Sequence, residues 1–202
     1  MWDLSQPCFQ RELELPETDA HPKLTVSYAV TGAQESAKGT VLFIGGMASC
    51  RYLAAVGSNG AQKAGVRLVV VDRYFFPFTS LSVDLNQNDS QHRRPGMGKS
   101  TNVETCQRIP VWLETVPLLM KELTADHVSI IAHSSGVIYA LNTISMMPDI
   151  LPPSHSAVYL FAPWVPPEHS ARKWLSKLPA PLINRRKPRY QTTSEMNHVK
   201  SF

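Results

Sequence analysis

The residues whose types and order could do chemistry lie in one short run, Ala132-His133-Ser134-Ser135-Gly136. A serine hydroxyl attacks a carbonyl carbon when it is exposed and when a neighbouring group takes its proton. The run has the form small-x-Ser-x-small, which has a steric reason. Where a strand turns abruptly into a helix, the residue at the apex is held in a strained backbone conformation, and bulky side chains two positions to either side would collide. The flanks fit that turn. Val128-Ser-Ile-Ile-Ala132 reads as a strand, and Val137–Met147 reads as an apolar helix. A helix starting directly behind the serine aims the Ser135 amide toward the place where an oxyanion would develop. The chemistry implied is acyl transfer through Ser134. The plainer alternative is that Ser134 only caps the helix.

A second glycine-bearing segment, Gly96-Met-Gly-Lys-Ser-Thr101, resembles the end of a phosphate-binding loop. Such a loop needs a further glycine five residues before Gly98, so that its amides can wrap the phosphates, and it runs directly from a strand into a helix. Position 93 is arginine and a polar stretch precedes the segment. A tight turn near the candidate site is the better reading. The three cysteines (Cys8, Cys50, Cys106) have no metal-ligand spacing and read as reduced thiols of an intracellular, cytoplasmic protein. No metal and no organic cofactor is expected.

The elements that must position Ser134 follow from periodicity. Cys8–Leu15 and Leu24–Val30 alternate apolar and polar residues, as half-buried antiparallel strands do. Thr40–Ile44 is a continuous apolar run, expected of a strand buried on both faces, and Val66–Val71 reads as another buried strand. Residues 50–64 have helical spacing, with Leu53, Ala54 and Val56 on one side and Gly65 as a stop. Val111–Leu123 places Leu113, Val116, Leu119, Met120 and Leu123 on one helical stripe. Ala157–Phe161 is a last strand. The order β-β-β-α-β-(insert)-α-β-α-β predicts an α/β fold: a mostly parallel sheet with helices on both faces and an antiparallel edge formed by the first two strands.

The composition, 43% hydrophobic and 18% charged, is that of a globular domain. No apolar run is long enough for a membrane helix, and the N-terminus lacks a basic start followed by an apolar block. The net charge of +4 arises at the C-terminal end, where residues 171–202 carry eight Lys and Arg against Glu195 alone. No aromatic residue interleaves with its basic cluster Arg185-Arg-Lys-Pro-Arg189 for base stacking, so no nucleic-acid partner is expected.

Three segments together resemble the α/β-hydrolase superfamily of esterases, lipases and epoxide-hydrolase relatives. Val128–Gly136 resembles its nucleophile elbow. Phe43-Ile-Gly-Gly-Met-Ala-Ser-Cys-Arg51 resembles the oxyanion loop after the third strand, with Gly45 where histidine is usual. Asp72-Arg73, read together with Arg94-Pro-Gly-Met-Gly-Lys-Ser100, resembles the Asp-Arg-Pro-Gly-x-Gly-x-Ser segment after the fourth strand. The resemblance covers about residues 8–180. It implies a serine hydrolase acting on an ester or similar small acyl substrate, with Ser134 as nucleophile and the amides of Ser135 and of Gly46 or Met47 as the oxyanion hole.

The same resemblance implies an acid and then a histidine after Ser134. The candidates are Asp149, Glu168 and Glu195, and His155, His169 and His198. Asp149 ends the helix leading away from the serine and His155 precedes the next strand. Glu168 and His169 fall where a cap region beginning near Trp164 is expected. Glu195 and His198 follow no buried strand. His133 is usually structural in this motif. The expected layout is therefore a partial hydrolase domain over 1–182, lacking the last two strands, followed by an unstructured basic tail over 183–202. Residues 74–94 read as an irregular insert, either a recent loop insertion or translated intron, because removing them restores an uninterrupted Asp-Arg-Pro-Gly-Met-Gly-Lys-Ser. The second functional reading is a truncated, inactive hydrolase-like protein with a binding or vestigial role.

Overall fold

The computed structural model describes residues 2–34, 37–47, 49–73 and 100–165. The expected insert at 74–94 and basic tail at 183–202 lie outside the described residues, as does the cap region beyond Val165. The chain divides after Trp164, and the unit up to that residue carries the sheet.

The nine main elements follow one another as β1 (Arg11–Leu15), β2 (Leu24–Gly32), β3 (Thr40–Ile44), α1 (Leu53–Ala64), β4 (Arg67–Val71), α2 (Arg108–Glu122), β5 (Val128–His133), α3 (Gly136–Met146) and β6 (Val158–Phe161). The strands form one six-stranded sheet in the order β1-β2-β4-β3-β5-β6. β1 pairs antiparallel with β2, and β2 antiparallel with β4, giving the expected edge. The remaining pairs, β3 with β4, β3 with β5 and β5 with β6, are parallel.

Strand periodicity distributes the core to two faces. Leu42, Ile44, Val69 and Val71 point to the face covered by α2 and α3. Their neighbours Val41, Phe43, Leu68 and Val70 join Ala54, Ala55 and Ala61 of α1 on the other. From β3 the chain crosses through α1 to β4 on one side; from β5 it crosses through α3 to β6 on the other. The C-terminal ends of β3 and β5 are therefore neighbours at the point where the connections diverge, the usual position for a ligand crevice in open α/β sheets.

Four expectations are corrected. The first strand begins at Arg11, because Pro7–Phe9 forms a 3₁₀ turn instead. β2 is buried on both faces over almost its whole length, since it lies between β1 and β4 with helices on either side. α1 turns its alanines inward, and Leu53 and Val56 face out, Val56 with 82% exposure. The close approach explains this choice: a Cβ on Gly57 would lie 2.5 Å from Leu68 Cδ2, so only small residues fit against the sheet. α2 starts three residues early, and its buried face is Val111, Trp112, Thr115, Val116 and Leu119, while Leu113 and Met120 are only partly buried. The stop after α1 is as expected, with Gly65 at φ 70° and its amide donating to the carbonyls of Ala61 and Gln62.

Candidate functional site

Ser134 sits between β5 and α3 with φ 52°, a conformation uncommon for a non-glycine residue. Three hydrogen bonds fix it. Its amide donates to the Phe161 carbonyl at 3.0 Å, and its carbonyl accepts from Val137 at 3.2 Å and from Trp164 at 3.1 Å. The small residues around it have visible causes. Ala132 is buried between Ile44 of β3 and Leu160 of β6. A Cβ on Gly136 would lie 2.2 Å from the Ile44 carbonyl oxygen and 2.6 Å from that of Gly45. The start of α3 can pack onto the end of β3 only because residue 136 has no side chain.

The capping alternative does not describe Ser134. Ser135 is the N-cap residue of α3, and it makes no side-chain capping bond. Ser134 is half-buried with its neighbour Ser135, and His133 is exposed.

The register Ile44↔Ala132 brings the loop after β3 beside the turn after β5. Gly46 is buried there, and a Cβ on it would lie 3.0 Å from Ser134 Cβ and 3.1 Å from His133 Nδ1. Met47 follows in a turn and is exposed. Gly45 answers to a different neighbour: a Cβ there would come within 2.0 Å of Ser49 Oγ. The loop folds its own serine over the position where histidine is usual in the resembling family, so glycine is required. Thus Ser134, Ser135 and Gly46 are brought together, with Met47 next along the loop.

A buried polar network anchors this loop. Arg51 is 1% exposed. Its Nη1 donates to Asp72 Oδ2 at 2.5 Å, its Nε to the Phe9 carbonyl at 2.6 Å, and its backbone amide to Asp72 Oδ1 at 2.5 Å. Asp72 Oδ2 also accepts from Ser27 Oγ. Ser100 Oγ donates to the Asp72 carbonyl at 2.7 Å and accepts from the Ser27 amide at 2.9 Å. Ser100 thus lies beside the same aspartate as Arg51 and Ser27. A hydroxyl used in this way is structural, unlike the metal-binding hydroxyl of a phosphate-binding loop.

Arg73, quoted in the sequence only as part of the Asp-Arg segment, makes a contact that was not foreseen there. Its Nη2 donates to the Gly46 carbonyl, and its guanidinium stacks 4.5 Å above the Tyr139 ring of α3. Trp112 of α2 meets Tyr139 edge-on at 5.6 Å. Burial lowers the Arg73 pKa, Tyr139 opposes that shift, and the nearby Arg108 adds to it. Nothing in the local sequence signals this contact, because residues 46, 73 and 139 meet only through the sheet order.

The described histidines other than His133 lie elsewhere. His127 precedes β5 and its Nδ1 meets the Asp149 carbonyl at 3.2 Å, so both are a strand length of about 20 Å from Ser134. His155 precedes β6 at the same far end. His21 is buried on the opposite flank, with Nε2 2.8 Å from Glu114 Oε2 and Nδ1 2.7 Å from the Pro22 carbonyl. Glu168, His169, Glu195 and His198 lie outside the described residues. Among the described residues no group of His, Cys, Asp and Glu is arranged to hold a metal ion, and no helix is long and apolar enough to cross a membrane.

No family model matches the sequence. No curated protein matches it either. Solved structures do. A probable hydrolytic enzyme from Pseudomonas aeruginosa is similar with a TM-score of 0.55 and 17% identity, over 76% of this chain and 42% of that one. A thioesterase domain from the curacin biosynthetic pathway gives 0.53 and 17%, over 83% and 50%. A proline iminopeptidase-related protein from Thermus thermophilus gives 0.51 and 17%, over 78% and 46%. The chain spans half or less of the length of these three structures. The mixed six-stranded sheet, the helices on its two faces and these structural neighbours make this chain an α/β-hydrolase-fold protein.

Proposed function

We propose that this chain is a serine hydrolase of the cytoplasm, acting on an ester or similar small acyl substrate through Ser134. The observation that carries the reading is the positive φ of Ser134 at a strand-to-helix turn, with the Gly46 backbone packed tightly against it. Strain of this kind costs on the order of 1–3 kcal/mol and concentrates at functional sites. In the proposed reaction Ser134 Oγ attacks the acyl carbon and its proton passes to the departing alkoxide. The amides of Ser135 and of Gly46 or Met47 stabilise the oxyanion, the leaving group departs, and water releases the acid. The reaction so written uses no cofactor, and neither a nucleic acid nor a membrane span enters it.

A second reading has its own support. Among the described histidines only His133 lies at the Ser134 end of β5, and no hydrogen bond joins its ring to Ser134 among the described residues. Without a base, Ser134 would lack assistance often worth about 10²–10⁴-fold, and the protein would act by binding alone. A fluorophosphonate probe separates the two. The enzyme reading expects a stoichiometric adduct on Ser134 and none on the Ser134→Ala variant. Equal labelling of both proteins, or of neither, would leave the binding reading.

A further inference from the structure

Arg73 is half-buried and held on an aromatic platform, and among the described residues it forms no ion pair with an acid. Its Nε is buried without a hydrogen-bond partner among the described residues. The guanidinium meets Tyr139 on one side, and its contact with backbone is with the Gly46 carbonyl. The Ser49 amide donates to the same oxygen at 3.2 Å. Two donors, one from within the loop and one from Arg73, therefore hold one carbonyl.

The peptide linking Gly46 to Met47 is planar and trans, as no cis bond occurs among the described residues. In a trans peptide the C=O and the N–H point in opposite directions. Fixing the Gly46 oxygen consequently fixes the direction of the Met47 N–H. The Gly46 amide belongs to the preceding peptide and is not set by this contact. A cation on the carbonyl also draws electron density through the amide and strengthens the N–H as a donor.

We propose that Arg73 is a positioning residue that aims and polarises the Met47 amide, making Met47, and not Gly46, the partner of Ser135 in stabilising the oxyanion on Ser134. The inference rests on the serine-hydrolase reading and deepens it. Arginine suits the task better than lysine, because its planar fork stacks on Tyr139 while one nitrogen reaches the carbonyl. Tyr139 is itself held by Trp112, whose Nε1 donates to Thr143 Oγ1 at 2.9 Å, so the platform is anchored from α2 through α3.

The test compares wild type with Arg73→Met, Arg73→Lys and Tyr139→Leu by the rate of fluorophosphonate labelling at Ser134. Losing one aligned oxyanion donor costs about 10²–10³-fold in rate, so the Arg73→Met step rate is expected to fall by about that factor or somewhat less. The probe's initial affinity should be unchanged. Arg73→Lys and Tyr139→Leu should fall between. If Arg73→Met does not fold, those two variants decide. Rates within twofold of wild type would overturn the proposal. The second readout needs no reactivity: the Gly46 carbonyl ¹³C and Met47 amide ¹⁵N resonances. Both should move in Arg73→Met, and unchanged resonances would overturn the clamp. If wild type fails to label, the hydrolase reading falls and these resonances still judge whether Arg73 sets the peptide.

Discussion

At Ser134 a backbone conformation that glycine adopts freely is imposed on a residue with a Cβ. This makes an unusual sign testable. Replacing alanine by glycine normally weakens a fold, because glycine loses more freedom on folding. Left-handed geometry costs a side-chain-bearing residue roughly 1–2 kcal/mol. Ser134→Gly should therefore unfold at higher urea than Ser134→Ala, by about 0.5–1 kcal/mol, although both lose the proposed nucleophile. Equal midpoints, or a less stable glycine variant, would mean that the conformation carries no strain. The sequence announced this turn well, because the steric rule behind Ala132 and Gly136 is local to five residues. It did not announce Arg51 with Asp72, or Arg73 with Gly46, because those contacts join loops separated by more than twenty residues. Only the sheet order brings them together.

At the level of elements, the junction between the β1–β2 turn and α2 is a histidine held between two acceptors. Glu114 raises the His21 pKa, the Pro22 carbonyl adds to that, and desolvation opposes both. A protonated ring donates from both nitrogens; a neutral ring turns one lone pair against an acceptor. The folded pKa lies above the ordinary imidazole value of about 6.5, so this stabilisation is fully present below the unfolded pKa and is lost as pH rises through the folded one. Wild type should exceed Glu114→Gln in urea stability at pH 5.5, and the gap should close progressively above pH 6.5. A gap independent of pH would remove His21 from the account. Neither His21 nor Glu114 stood out in the sequence. The elements themselves were more legible: β3 was read to the residue, and α3 to within one. α1 misled because a helix packed this close to a sheet buries alanine and leaves larger apolar residues outside. Hydrophobic periodicity cannot report that inversion.

Across the whole molecule, alternating strands and helices were enough to predict the class of fold, and the antiparallel start was enough to predict its edge. The order of strands was not readable, since pairing of β3 with both β4 and β5 depends on which way each crossover runs. That pairing gathers the glycine loop and the serine turn at one point. The support of the serine turn is less evenly shared. Two of the three backbone bonds that hold Ser134 come from Phe161 and Trp164, at and just beyond the outermost described strand. Tyr159, Leu160 and Phe161 of that strand are exposed, and exposed strands at a sheet edge open locally at less cost than central ones. Each opening releases the serine to a relaxed backbone. Warming should thus silence the chain before it melts. Ser134 labelling is expected to fade several degrees below the loss of near-ultraviolet circular dichroism, in a loss that reverses on cooling. Coincident curves would tie reactivity to global unfolding. Read this way, the serine works as a thermometer for the mooring of a single strand.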